Sequence, residues 1–206
     1  RDRPRTQSSL LECMEEKQVT LDGETLKLAA PFFVIATENP IETAGTFPLP
    51  EAQLDRFMMK ISMGFPTFAQ ELEIMDRYIS ESPYAALSAV MTTQELITMQ
   101  EWVKGVHIGQ EVREYLLHIV EATRKNAKLK LGVSTRGTLA FMRACQSLAA
   151  IRGRNYVIPE DIKYLAPFVL EHRLVLAGGY LRTAEQKAIM DSILSSVEVP
   201  TENFVS

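Results

Sequence analysis

Three residues of this chain have types and surroundings suited to phosphate chemistry. Asn39 follows Phe32-Phe33-Val34-Ile35-Ala36, a continuous apolar run rich in aromatic and β-branched side chains, as expected of a strand covered on both faces of a parallel sheet. Ligands of open α/β sheets sit beyond the carboxyl ends of strands, and Thr37-Glu38-Asn39 falls there, so a neutral amide stands where it can orient a water or touch a phosphate. Arg56 closes the segment Leu54-Asp55-Arg56-Phe57. If Ser134 caps the helix that follows it, Arg136 lies in the first turn, where the helix dipole disfavours a cation by roughly 0.3–1 kcal/mol and a bound anion reverses the sign. Each has a plainer reading: Asn39-Pro40 as a turn, Arg56 as a solvated arginine paired with Asp55 or Glu51, Arg136 as an exposed arginine folded over the surface.

The elements that would position them fall into an α/β part and a helical part. Pro4 suits the first turn of a helix carrying Leu10, Leu11 and Met14 on one face. Asp22-Gly23, flanked by Val19/Leu21 and Leu26/Leu28, predicts a β-hairpin. After the Phe32–Ala36 strand, Phe57, Met59, Ile61 and Met63 alternate with Lys60 and Ser62, predicting a strand near a sheet edge. From Thr67 the period is helical. Helices are expected on Leu72, Met75 and Ile79, ending at Pro83; on Val112, Tyr115/Leu116, Ile119/Val120 and Thr123; and on Leu139, Met142, Cys145 and Leu148/Ala149. A further helix begins at Pro159-Glu160-Asp161 and buries Ile162, Leu165 and Val169, with Pro167 kinking or shortening it. Gly178-Gly179 breaks the chain before a last helix around Glu185–Leu194, and a linker is expected near Ser82–Met91.

The stretch Ala36–Phe57, ATENPIETAGTFPLPEAQLDRF, resembles the MoxR family of AAA+ ATPases, whose members read close to ATQNPIE…G.YPLPEAQLDRF. The resemblance implies an α/β remnant of a P-loop AAA+ core at 1–66, followed by an all-α helical lid domain at 67–206. It also implies a hairpin before the sensor-1 strand, the order of the helix-2-insert clade. By resemblance Asn39 matches sensor 1, which helps position the attacking water, and Arg56 the arginine finger, which reaches a neighbouring subunit's nucleotide. Arg136 matches sensor 2, the family reading near GASPRA against Gly132-Val133-Ser134-Thr135-Arg136-Gly137. Glu38 replaces the usual Gln, Thr135 the usual Pro, and Gly137 another small residue. ATP and Mg²⁺ are the implied ligands. The implied partners are neighbouring ring subunits and a protein client such as a von Willebrand factor A-domain protein, for chaperone-like remodelling or maturation of complexes.

A P-loop needs GxxxxGK[ST], whose backbone N–H groups, Lys and hydroxyl hold phosphates and magnesium. These residues contain no such motif; Gly132-Val-Ser-Thr-Arg-Gly137-Thr138 has the spacing but no lysine. An apolar strand ending in Asp-Glu, the Walker B pattern, is also missing, and in the family it precedes the match to Arg1-Asp2-Arg3-Pro4. The expectation is therefore the carboxy-terminal part of a longer ATP hydrolase, itself inactive when isolated.

Composition fits an ordinary globular chain: 206 residues, 46% hydrophobic, 23% charged, net charge −4. That charge offers no global attraction for nucleic acid, and no apolar run has the length of a membrane span, so a cytoplasmic location is the default expectation. Cys13 and Cys145 read as reduced structural cysteines, and His107, His118 and His172 lack metal-ligand spacing. Arg152-Gly153-Arg154 and Arg1/Arg3/Arg5 read as solvated turns. Two other classes stay open: a related motor of the magnesium chelatase or MCM type, and, for this chain alone, a non-catalytic interaction or oligomerisation module.

Overall fold

The computed structural model describes residues 13–14, 16–21, 23–38, 50–80, 84, 87–178 and 183–201. Asn39, Arg1/Arg3/Arg5 and most of the helix expected after Pro4 lie outside them. The hairpin forms as its sequence predicts. Strand β1 (Gln18–Leu21) pairs antiparallel with β2 (Glu24–Lys27), Val19 opposite Leu26, and Gly23 takes φ +87°, a left-handed turn conformation that costs glycine nothing.

Neither expected single strand forms. Residues 32–38 run without a β-partner among the described residues, and Phe33 and Ile35 are each 79% exposed. Residues 57–67 are likewise unpaired, with Ile61 and Met63 in solvent. A strand needs neighbours to hydrogen-bond, and among the described residues the β-structure consists of the hairpin, one other strand pair and an isolated His107–Tyr156 bridge. Apolar pattern without a partner leaves an extended chain.

Helix α1 (Glu51–Leu54) is a single turn. Helix α2 (Phe68–Ser80) starts where Thr67 predicts it. The Thr67 backbone N–H donates to Gln70 Oε1 at 2.8 Å and the Gln70 N–H to Thr67 Oγ1 at 3.4 Å, a reciprocal cap using Gln70 rather than Glu71. Helix α3 (Thr93–Val103) is an addition. Its signal was present, because Thr92 and Glu95 form a capping box with Glu95 N–H to Thr92 Oγ1 at 3.2 Å and Thr92 N–H to Glu95 Oε2 at 2.6 Å.

The core lies in the following helices. Helix α4 (Gln110–Lys125) buries Val112, Tyr115, Leu116, Ile119, Val120 and Thr123, the face its period predicts. Strand β3 (Leu129–Leu131) leads to α5 (Thr135–Ile151), α6 (Pro159–Leu170) continues into a 3₁₀ turn at Glu171–Arg173, and β4 (Val175–Leu176) returns antiparallel to β3 before α7 (Thr183–Ser196). In α5 the buried face is centred on Phe141, Cys145 and Ala149, while Leu139 is exposed, so the face is rotated from the predicted one. Pro167 does not end α6: the helix runs to Leu170, and its Ile162 and Val169 are fully buried. Ile119, Phe141, Ile162 and Met190 bring α4, α5, α6 and α7 into one apolar cluster.

Arg152 and Arg154 are not solvated turns. Asp161, 0% exposed in the first turn of α6, receives Arg152 Nη1 at 3.0 Å on Oδ1. Arg154 holds both its oxygens, Nη2 to Oδ1 at 2.7 Å and Nη1 to Oδ2 at 2.8 Å. Asp161 also accepts the Ile158 N–H at 3.1 Å, capping the helix. Spacing could not reveal this, because the acid that pairs with them is brought in by the turn at Gly153, φ +73°.

Candidate functional site

The turn after α1 is fixed by short local bonds: Asp55 N–H to Glu51 O at 3.1 Å, Arg56 N–H to Gln53 O at 3.2 Å and Phe57 N–H to Leu54 O at 3.1 Å. They point the Asp55 carboxylate and the carbonyls around Arg56 toward the helical bundle. Arg173, its side chain 2% exposed, meets them. Its Nε donates to Asp55 Oδ1 at 3.1 Å, Nη2 to the backbone oxygens of Asp55 at 3.2 Å and Phe57 at 2.6 Å, and Nη1 to Met58 O at 3.3 Å and also to Val169 O. The guanidinium has five N–H donors, and five oxygens surround it. Burial pulls the Arg173 pKa down and the Asp55 carboxylate pushes it back, which is how a buried charge is kept.

Ser134 joins Asp55 from the other side. Its hydroxyl donates to the carboxylate, 3.0 Å from Oδ1 and 2.9 Å from Oδ2, and accepts the Gly137 N–H at 3.0 Å. Ser134 therefore caps α5, as predicted, and Arg136 lies in the first turn. The loop before the cap is clamped to α4. Val133 N–H donates to Thr123 Oγ1 at 3.0 Å and Arg124 Nε to Val133 O at 2.9 Å, and a Cβ at Gly132 would lie 2.6 Å from the Arg124 backbone nitrogen. β3, which precedes this loop, is largely exposed and not the buried strand that a P-loop follows.

Asp55 supplies the anion that the helix-dipole argument required at Arg136. Arg136 Nη1 is 3.9 Å from Asp55 Oδ2 with its side chain 47% exposed, a loose pair, and the inference of an external anion is to that extent already met within the chain.

Arg56 and Arg136 nevertheless line one cleft of about 580 Å³, together with Lys17, Arg143 and Arg173. Lys17 is carried there by the residue before β1, in a left-handed conformation at φ 53°. Asp55, the acid lining the cleft, is engaged by Ser134 and Arg173. The cations of this cleft other than Arg173, whose donors are already engaged, fit a polyphosphate and not the magnesium that accompanies it, and among the described residues no group of three His, Cys, Asp or Glu could hold a metal. Sequence reasoning missed Arg173, Lys17 and Arg143. The signal for Arg173 was a polar trio, Glu171-His172-Arg173, set between apolar Val169-Leu170 and Leu174-Val175-Leu176, where a buried charge must have a partner.

His172, next to Arg173, lies with Nε2 3.1 Å from Phe57 O and 2.8 Å from Arg173 Nη1. Burial first, then the Arg173 charge, lower its pKa from 6.5 to about 4. Because the folded pKa is depressed, the unfolded chain binds the proton first as pH falls from 6.5 toward 4, and stability is lost across that window. The group is expected to make the chain about 2 kcal/mol less stable at pH 5 than at pH 7. Urea unfolding at both pH values, with His172→Gln abolishing this part of the difference, checks it.

A hairpin-bearing segment joined to a helical bundle is consistent with a fragment of an AAA+ core and its helical lid, and the comparisons agree. A family model described as the ATPase family associated with various cellular activities (AAA) matches residues 1–59, and an AAA lid domain model matches 121–195. The uncharacterized protein YeaC of Bacillus subtilis is 46% identical over 98% of this chain and 63% of its own length. Chaperone MoxR1 of Mycobacterium tuberculosis is 38% identical over 98% of this chain and 55% of its own length. A crystal structure of a candidate ATPase from Cytophaga hutchinsonii superposes with a TM-score of 0.87 at 36% identity, covering 97% of this chain and 63% of that one. The chain belongs to the MoxR family of AAA+ ATPases. It spans 55% to 63% of the length of these relatives.

Proposed function

We propose that the full-length protein couples ATP binding and hydrolysis in a ring to chaperone-like remodelling or maturation of protein complexes. The observation that carries this is the cleft in which Arg56 and Arg136, distant in sequence, stand with Lys17, Arg143 and Arg173. The likeness to Chaperone MoxR1 supports the client side of the reading. Residues 1–66 then form the distal part of the nucleotide-binding core and 67–206 the lid. Since Arg56 and Arg136 border one cleft, they would address the same triphosphate, and a finger offered to a neighbouring subunit's nucleotide takes Arg136 with it. Asn39 would orient the attacking water, and the two arginines would stabilise charge on the transferring phosphoryl group. Magnesium and the phosphate cradle would come from residues other than those of this cleft.

A second reading has support of its own. Magnesium-chelatase subunits, among them a homolog in Methanocaldococcus jannaschii at 25% identity over 74% of this chain and 41% of its own length, are also similar to it. A chelatase-type motor would use the same cleft on a different client.

The test is Arg136→Ala in the full-length protein, followed by melting temperatures without nucleotide, with ADP and with a non-hydrolysable ATP analogue. The loose, exposed pair with Asp55 predicts an apo Tm within a few degrees of wild type, since such pairs are worth about 0–1 kcal/mol. The stabilisation by the ATP analogue falls by more than that by ADP, because only the former offers a γ-phosphate. Equal weakening of both with a large apo loss would make Arg136 a structural residue.

A further inference from the structure

We infer that Arg173 is a positioning residue for Arg56, making the lid the element that aims the finger; this rests on reading Arg56 as catalytic. Arg173 belongs to the 3₁₀ turn that closes α6, while its acceptors flank Arg56 on both sides: the carboxylate and carbonyl of Asp55 before it, the carbonyls of Phe57 and Met58 after it. One rigid, buried fork thus fixes the backbone through which Arg56 is presented. The neighbouring main chain is tied as well, Lys60 N–H donating to Phe168 O at 2.8 Å. Behind the guanidinium, Gln186 Nε2 of α7 holds Leu174 O at 2.6 Å, so the fork is anchored in the helical bundle.

A second observation comes from α5. Gly137 leaves the space that Arg173 occupies: a Cβ there would lie 2.8 Å from Arg173 Cδ and 2.9 Å from its Nε. Contacts that short, with Val133 Cγ1 also at 2.8 Å, force a shift, and the Arg173 fork and the buried Val133 side chain must both move. Glycine in a helix costs roughly 0.5–1 kcal/mol against alanine, so its use here is accounted for by the room it leaves. Gly137→Ala therefore displaces the fork without removing any polar group and without touching Arg56.

Arg173→Ala, Arg173→Lys, Gly137→Ala, Arg56→Ala and the double variant Arg56→Ala/Arg173→Ala are compared in the full-length protein by kcat, KM and direct nucleotide affinity. Gly137→Ala is expected to lower kcat about tenfold and to lower Tm, with nucleotide affinity near wild type, and Arg173→Ala to lower kcat further. Arg173→Lys restores part, since one ammonium cannot serve all the fork's acceptors. In the Arg56→Ala background, adding Arg173→Ala costs no further turnover, because a residue acting through another loses its effect once that other is gone. An additional loss of turnover in that background, or wild-type kcat in Gly137→Ala and Arg173→Lys alike, overturns the positioning role while leaving Arg56 catalytic. Wild-type turnover in Arg56→Ala overturns both readings together.

Discussion

Arg56→Ala in the full-length protein is expected to lower ATP turnover by about 10³-fold, the range an arginine finger supplies, with nucleotide affinity close to wild type. The split follows from where the charge is needed. A guanidinium that meets the phosphoryl oxygens as charge develops stabilises the transition state and contributes little to the ground state. The substitution leaves the Asp55 carboxylate and the carbonyls gripped by Arg173 in place, so the joint between core and lid persists. If the finger acts on a neighbour, mixing Arg56→Ala subunits with subunits lacking the phosphate-binding lysine restores some turnover at interfaces that pair one intact half from each. Mixed rings without recovery would return Arg56 to a structural role.

Asp161→Ala is the other large effect, and it concerns stability. The carboxylate is fully buried, takes three hydrogen bonds from Arg152 and Arg154 and caps α6 through the Ile158 N–H. Removing one partner of such a cluster leaves the other charge without compensation, at a cost of about 3–5 kcal/mol. Arg154, 19% exposed, bears most of that, whereas Arg152, 42% exposed, turns to solvent at little cost. Equilibrium urea unfolding measures it. A loss below about 1 kcal/mol would mean that water screens these arginines as it does an ordinary surface pair.

How far the sequence reached depended on whether a feature is local. Hydrophobic period and end signals are local, and they located the hairpin at Gly23, the buried face of α4, the Ser134 cap and the continuation after Pro159. The capping box Thr92/Glu95 was equally local and was the available sign of α3. The long match from Ala36 to Phe57 carried the family, because a specific run of residue types survives without any knowledge of contacts.

Whatever depends on a partner distant in the chain was decided by the tertiary structure alone. The run 32–36 has the composition of a buried strand, yet strand identity is conferred by neighbouring backbone, and among the described residues none pairs with it. Arg152 and Arg154 looked solvated until the fold brought Asp161 between them, and the anion at Arg136 turned out to be Asp55 of this same chain. Arg173 was missed as a functional candidate for the same reason: apart from the Val169 carbonyl, its oxygen acceptors lie more than a hundred residues earlier, around Arg56. Sequence determined the elements and the family; packing determined which charges meet, because electrostatics and hydrogen bonds act over ångströms of space and not over positions in a chain.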